Sequence, residues 1–184
     1  MASYNEIPVK ILSRLIGTPD CPVLLDVRVN DDFDADPHLI PGAYRHPFAD
    51  VDDLSDALKG KQVILYCQKG LKISQGAAAI LRNGDVRAEV LEGGQFAWKD
   101  AGLPMVHAGK LPSLGRAKHT VWVTRHRPKI DRIACPWLIR RFVDPRARFL
   151  FVPTSQVNTV AERFNATPFD VVDVFLTLRR ELCS

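Results

Sequence analysis

The chain has no apolar run approaching the roughly 20 residues that a membrane-spanning helix needs. Its N-terminus also lacks the basic-then-apolar pattern of a secretion signal. Its four cysteines, at positions 21, 67, 135 and 183, stand far apart and form no Cys-x-x-Cys pair. That spacing excludes a disulfide framework and a recognisable zinc site. The expectation is therefore a protein without metal or cofactor in a reducing cytoplasm, away from membranes. With 46% apolar and 25% charged residues, the 184-residue chain has the composition of an ordinary globular protein, one domain or two small ones.

Net charge is small in total and uneven in place. The net charge is only +4, yet ten Lys or Arg between Arg116 and Arg148 are opposed by Asp131 and Asp144 alone. That stretch carries +8 and leaves the rest of the chain at −4, which predicts two modules with different jobs.

The first module is organised around Val63-Ile64-Leu65-Tyr66-Cys67-Gln68-Lys69-Gly70-Leu71-Lys72-Ile73-Ser74. Val63 to Tyr66 reads as a buried strand, and Ser74 to Asn83 as a helix with Ser74 as its N-cap. Cys67 then lies between a strand end and a helix start, facing unpaired backbone N–H groups and the positive end of a helix dipole. Lys69 and Lys72 add positive charge, and both effects favour the reactive thiolate. Gly70 allows the backbone to curl around the sulfur without a Cβ in the way. A cysteine phosphatase would need a histidine before the cysteine and an arginine six positions after it, where this chain has Tyr66 and Ile73. Lys72, five positions on, makes a smaller cradle, better suited to a sulfur atom carried on the thiol than to a phosphoryl group. The bland alternative is a small buried hydrophobe.

The surrounding pattern alternates strands and helices. Ile7, Leu12, Leu15 and Ile16 space like one face of an opening helix, and Val23 to Val27 is a continuous apolar strand ending at Asp26 and Arg28. Asn30 to His38 reads as a loop, Asp50 to Leu58 as an acid-started helix, Ala88 to Leu91 as a strand, and Phe96 to Ala101 as a short helix with Trp98 in the core. This order predicts a doubly wound α/β sheet with the working site at the C-terminal strand edge. Asp26 and Arg28 are expected to fix the loops around Cys67.

Cys67-Gln68-Lys69-Gly70-Leu71-Lys72 follows Leu25-Asp26-Val27-Arg28 and Ile40-Pro41-Gly42-Ala43, and precedes Leu91-Glu92-Gly93-Gly94-Gln95-Phe96-Ala97-Trp98. With these four ordered motifs, roughly residues 5 to 106 resemble a single-domain rhodanese. The resemblance implies a rhodanese-like parallel sheet and a sulfurtransferase reaction. Cys67 would take sulfane sulfur from a small anionic donor, thiosulfate or a persulfide, and pass it to a thiol acceptor of unknown identity. Lys72 stands where many members of that family carry arginine, a point charge in place of a planar fork.

Residues 108–118 read as a linker between a module at 1–107 and a second at 119–184. In the second, Thr120 to Thr124 is a strand, Phe149 to Val152 another, and Val157 to Phe164 a helix. Pro136 suits the first turn of a helix, which would place Cys135 at its N-cap beside Arg132 as a possible second redox thiol. A cysteine packed beside Trp137 is the other reading. Arg127-Pro128-Lys129-Ile130-Asp131-Arg132-Ile133-Ala134-Cys135-Pro136-Trp137-Leu138-Ile139-Arg140-Arg141-Phe142 resembles the C-terminal domain of the chromate-resistance protein ChrB, a domain ordinarily longer than the residues available here. That resemblance implies a smaller α/β basic module linked to oxyanion stress.

Two classes of function follow: a sulfurtransferase working through Cys67, or a sensing protein that binds an oxyanion or nucleic acid through the basic module. Trp122, Trp137 and Phe149 are interleaved with the cations, as in nucleic-acid readers, but a solvated arginine face over an aromatic core is the favoured reading. The run Val171 to Leu176 could pair as an edge strand and join two copies into a homodimer.

Overall fold

A computed structural model describes residues 5–112, 119–127 and 130–171. The chain divides into two compact units, 1–109 and 110–184. The first unit carries a five-stranded sheet built from β1 (Glu6–Ile7), β2 (Val23–Asp26), β4 (Ala43–Arg45), β5 (Gln62–Tyr66) and β6 (Arg87–Leu91), in the order β1-β6-β5-β2-β4. Every pairing is parallel. A separate antiparallel pair joins β3 (His38–Leu39) to β7 (Val106–His107).

The continuous apolar runs of β2 and β5 are what a sheet covered on both faces requires. Successive side chains point to opposite faces. Val63, Leu65 and Cys67 join a core with Ala77, Ala78 and Leu81 of helix α4 (Lys72–Asn83). Ile64 and Tyr66, fully buried, face the other way. The same alternation decides which helix the thiol meets. Cys67 lies on the α4 side because Val63 and Leu65 do.

Helix α1 (Val9–Leu15) is shorter than the apolar spacing predicts: Ile7 belongs to β1, where it pairs with Leu91. The acidic stretch read as a loop forms helix α2 (Asn30–Ala35), with Asp31 and Asp32 in its first turn, where negative charge is favoured. Asp50 to Leu58 is not one α-helix. A 3₁₀ segment spans Phe48–Leu54, and α3 is the single turn Ser55–Leu58. Helix α5 (Gly94–Asp100) starts two residues before Phe96, and Trp98 is buried with its indole N–H donating to Pro104 O at 3.0 Å.

The second unit is a smaller parallel sheet of β8 (Val121–Arg125), β9 (Arg148–Val152) and β10 (Thr167–Pro168), in the order β10-β8-β9. Helices α6 (Asp131–Phe142) and α7 (Val157–Phe164) make the two crossovers. They cover opposite faces. Trp122 packs with Ile139 of α6, Ala147 and Phe169, whereas Val123 packs with Val157 of α7 and Ala166. This unit is therefore also doubly wound. Pro136 sits inside α6, not at its start, so Cys135 is a mid-helix residue. The expected run Val171 to Leu176 lies, after Val171, outside the described residues, as do Cys183 and most of the linker, residues 113–118.

Candidate active site

Cys67 follows the last residue of β5 at the C-terminal edge of the large sheet and is almost wholly buried, at 5% exposure. The chain then turns through Gln68 to Leu71 and enters α4 at Lys72. Ser74 is therefore not the N-cap. It lies in the first turn, fully buried, where its hydroxyl oxygen is 3.1 Å from Leu71 O and 3.3 Å from Cys67 Sγ, so its one proton can turn to either.

Burial pushes the Cys67 thiol up, but the Ser74 hydroxyl and the backbone N–H groups of Ser74, Lys69 and Leu71 outweigh it and hold the pKa below the ordinary cysteine value. The turn into α4 thus places the backbone N–H groups of Lys69, Leu71 and Ser74 around the sulfur. Lys69 and Lys72, by contrast, are exposed. The cradle around the sulfur is made of amides and a hydroxyl, with the lysines contributing long-range charge only.

Two glycines lock this loop against the turn before α5. Gly70 has φ +69°, and a Cβ there would lie 2.5 Å from Leu91 O and 2.7 Å from Gly94 N. Gly94 has φ +59°, and a Cβ on it would run into Cys67 O and Gly70 N. Both positions need the left-handed backbone and the missing side chain at once. The two segments are then tied by Gln95 N–H donating to Cys67 O and Phe96 N–H donating to Gln68 O, each at 3.0 Å.

Asp26 and Arg28 act on the same joint from below. Both are essentially unexposed, and Arg28 Nη2 meets Asp26 Oδ2 at 2.6 Å while Nε spans both carboxylate oxygens at 3.0 and 2.9 Å. The remaining guanidinium donors reach Gln95 Oε1 at 2.7 Å, and Asp36 O and His38 O at 2.9 Å each. Gln95 is the link that reasoning from sequence left out. Its side chain is held by Arg28 and its backbone N–H holds the Cys67 carbonyl. Its place in the segment Gly93-Gly94-Gln95-Phe96 was the available signal.

The arrangement offers a nucleophilic thiol with a preorganised set of donors aimed at negative charge on sulfur. Among the described residues, no three His, Cys, Asp or Glu side chains come together as metal ligands. None of their helices is long and apolar enough to cross a membrane.

The family model described as "Rhodanese-like domain" matches residues 9–101, just over half of the chain. The chain belongs to the rhodanese-like family. Residues 122–184 match a second model, "ChrB, C-terminal domain". A sulfurtransferase from Allochromatium vinosum is 30% identical over 103 residues, 55% of this chain and 94% of that protein. Protein ChrB from Cupriavidus metallidurans is 43% identical over 53 residues, 28% of this chain but only 16% of its own length. Among solved structures, a rhodanese-related protein from Thermoplasma volcanium aligns at 23% identity and a TM-score of 0.48, covering 56% of this chain and 98% of that one.

In the second unit Cys135 is half-buried and packs against the cluster of Trp122, Ile139, Ala147 and Phe169. Trp137, expected beside it, is 53% exposed, with the Arg141 guanidinium 4.9 Å from its ring centre. The three aromatics interleaved with the cations do not share one face. Trp122 is buried and Phe149 joins the core under Arg140, whose guanidinium lies 5.1 Å from the ring centre.

Proposed function

We propose that the protein is a sulfurtransferase that carries sulfane sulfur on Cys67 as a persulfide. The observation that supports this best is the position of Cys67 after β5, its sulfur 3.3 Å from the Ser74 hydroxyl and among loop N–H groups that lower its pKa. In the first step the Cys67 thiolate attacks the outer sulfur of thiosulfate. A Cys67–sulfur bond forms, the sulfur–sulfur bond of the donor breaks, and sulfite leaves with the electron pair. The terminal persulfide sulfur then carries the negative charge, which the loop N–H groups and the exposed Lys69 and Lys72 stabilise. In the second step an acceptor thiolate attacks that terminal sulfur and releases the Cys67 thiolate. No external oxidant or reductant enters either step.

A point charge at Lys72 in place of a planar fork weakens bidentate capture of thiosulfate, so a low-molecular persulfide serves equally as donor. A thiol that must stay reduced between turnovers suits a reducing cytoplasm. The match of the second unit to the ChrB C-terminal domain supports the part of this proposal that links the chemistry to oxyanion stress.

The test is intact-mass spectrometry after incubation with thiosulfate or a low-molecular persulfide, with Cys67→Ser alongside. A gain of one sulfur atom that disappears in the variant supports the carrier role. Persistent loading in Cys67→Ser, or no loading from any sulfane donor, sinks it.

A further inference from the structure

The described residues contain five buried side-chain N or O atoms with no hydrogen-bond partner, and four of them gather at one place in the second unit: Thr124 Oγ1, Arg125 Nε, Arg132 Nε and Asp170 Oδ2. Thr124 and Arg125 close β8, Arg132 lies in the first turn of α6, and Asp170 follows β10. The register Thr167↔Trp122 and Pro168↔Val123, continued by Phe169 N–H donating to Val123 O, brings Asp170 alongside the end of β8. Strands β9 and β10 flank β8 on opposite sides, so this is the C-terminal edge at the point where the strand order reverses. Open α/β sheets bind their ligands at such a place.

The charges present offset one another only in part, since two guanidinium groups face a single carboxylate. Arg132 Nε lies 3.1 Å from Asp170 Oδ2, and Arg125 Nη2 lies 3.8 Å from the same oxygen. Arg132 Nε and Asp170 Oδ2 nevertheless both remain without a hydrogen bond, so the N–H does not point at the oxygen. Arg132 Nη1 makes only long contacts, 3.5 Å to Arg125 O and 3.3 Å to His126 O. The Arg132 side chain is 4% exposed and that of Asp170 9%, while Thr124 is fully buried. Two guanidinium donors call for an anion. A carboxylate oxygen that still lacks a donor calls for a ligand with a proton to give.

The geometry points to a binding site for a small oxyanion that keeps a hydroxyl at neutral pH, of the inorganic phosphate type. Arg125 and Arg132 would donate to its charged oxygens, and Asp170 would accept from its hydroxyl. Sulfate, fully deprotonated, would set oxygen lone pairs against the carboxylate, and is rejected by at least tenfold. This site is independent of the sulfur chemistry at Cys67.

The test is isothermal titration of the full chain with phosphate, sulfate and methyl phosphate at matched ionic strength and pH 7.5, with amide chemical shifts followed at Thr124, Arg125 and Arg132. Saturable phosphate binding with at least tenfold weaker sulfate binding is expected, and in Asp170→Asn the preference should collapse as the amide donates to sulfate. Methyl phosphate, largely stripped of its hydroxyl proton at that pH, should follow sulfate. Three results would each overturn the proposal: no saturable binding, equal binding of all three anions, or shifts confined to exposed cations. If Asp170→Asn does not fold, the anion preference and shift map of the unmodified chain decide.

Discussion

Cys67 and Cys135 look alike in sequence and differ in the fold. Each follows apolar or small residues, precedes a helical pattern and has a cation within a few positions, so each reads as a thiol acidified by a helix start. Cys67 fulfils that reading because the chain leaves β5, turns and starts α4 five residues later, leaving the N–H groups of Lys69, Leu71 and Ser74 to face the sulfur. Cys135 lies in the middle of α6, whose first residue is Asp131. The N–H groups nearest to it belong to the helix ladder, and its sulfur faces the cluster around Trp122 and Ile139. A helix acidifies a thiol only where its first-turn N–H groups are unclaimed. Proximity to a helical pattern is not enough.

The largest effect that tests this contrast is Cys67→Ser, which should reduce sulfur loading to background while leaving the far-ultraviolet circular dichroism spectrum unchanged. Next comes Arg28→Ala. It leaves the Asp26 carboxylate fully buried beside an empty space and releases Gln95 from below the loop. Removing one partner of a buried ion pair costs about 3–5 kcal/mol, so the urea midpoint of the first unit should fall sharply. An Arg28→Ala protein of unchanged stability would show that the pair is not what holds the joint.

A smaller effect separates the hydroxyl from the backbone. Ser74→Ala removes the contact to Cys67 Sγ and keeps the N–H cradle. The Cys67 pKa should rise, so the pH at which its alkylation by iodoacetamide is half-maximal should move up. At pH values below that midpoint the rate should drop about three- to tenfold; above it the two proteins should converge, because both are then thiolates. Cys21 supplies the internal reference. Burial pushes its pKa up despite a backbone hydrogen bond from Gly17, so it should label later than Cys67 as pH is raised. An unshifted profile in Ser74→Ala would assign all of the acidification to the N–H groups.

The sheet and its site edge were legible in the chain because parallel strands buried on both faces read as unbroken apolar runs, and Val23–Leu24–Leu25 and Val63–Ile64–Leu65 are such runs. Cys67 was legible through its position after one of them. Gln95 was not, because its role rests on bonds to Arg28 and to the Cys67 carbonyl, 67 residues and 28 residues away along the chain. Helix α2 does not show in the sequence because its polar stretch has no periodicity to detect, although Asp31 and Asp32 stand at the end where negative charge is favourable. Ser74 reads as the N-cap in sequence, but the N-cap is Leu71, three residues earlier, and Ser74 becomes a group that touches the thiol. The error at Pro136 is of another kind. Proline is favoured in a first turn, but it is tolerated further along where one lost N–H can be borne, and composition alone does not say which.

The smallest expected effect is also the one that decides whether the second thiol belongs to the chemistry at all. Cys135→Ala removes one sulfur from a half-buried position in the small core. Sulfur loading on Cys67 should be unchanged, and the second unit should lose about 1 kcal/mol, the ordinary effect of trimming a partly buried side chain. Alkylation should find Cys135 slower than Cys67 at low pH, because Cys135 lies well inside α6, where the helix ladder claims the backbone N–H groups. If Cys135 instead reacts as readily as Cys67, or if its loss halves sulfur turnover, the distinction between a helix start and a helix middle fails as a guide to reactivity in this protein. The two thiols would then have to be treated as a relay, with the sulfur passing from the large sheet to the small one.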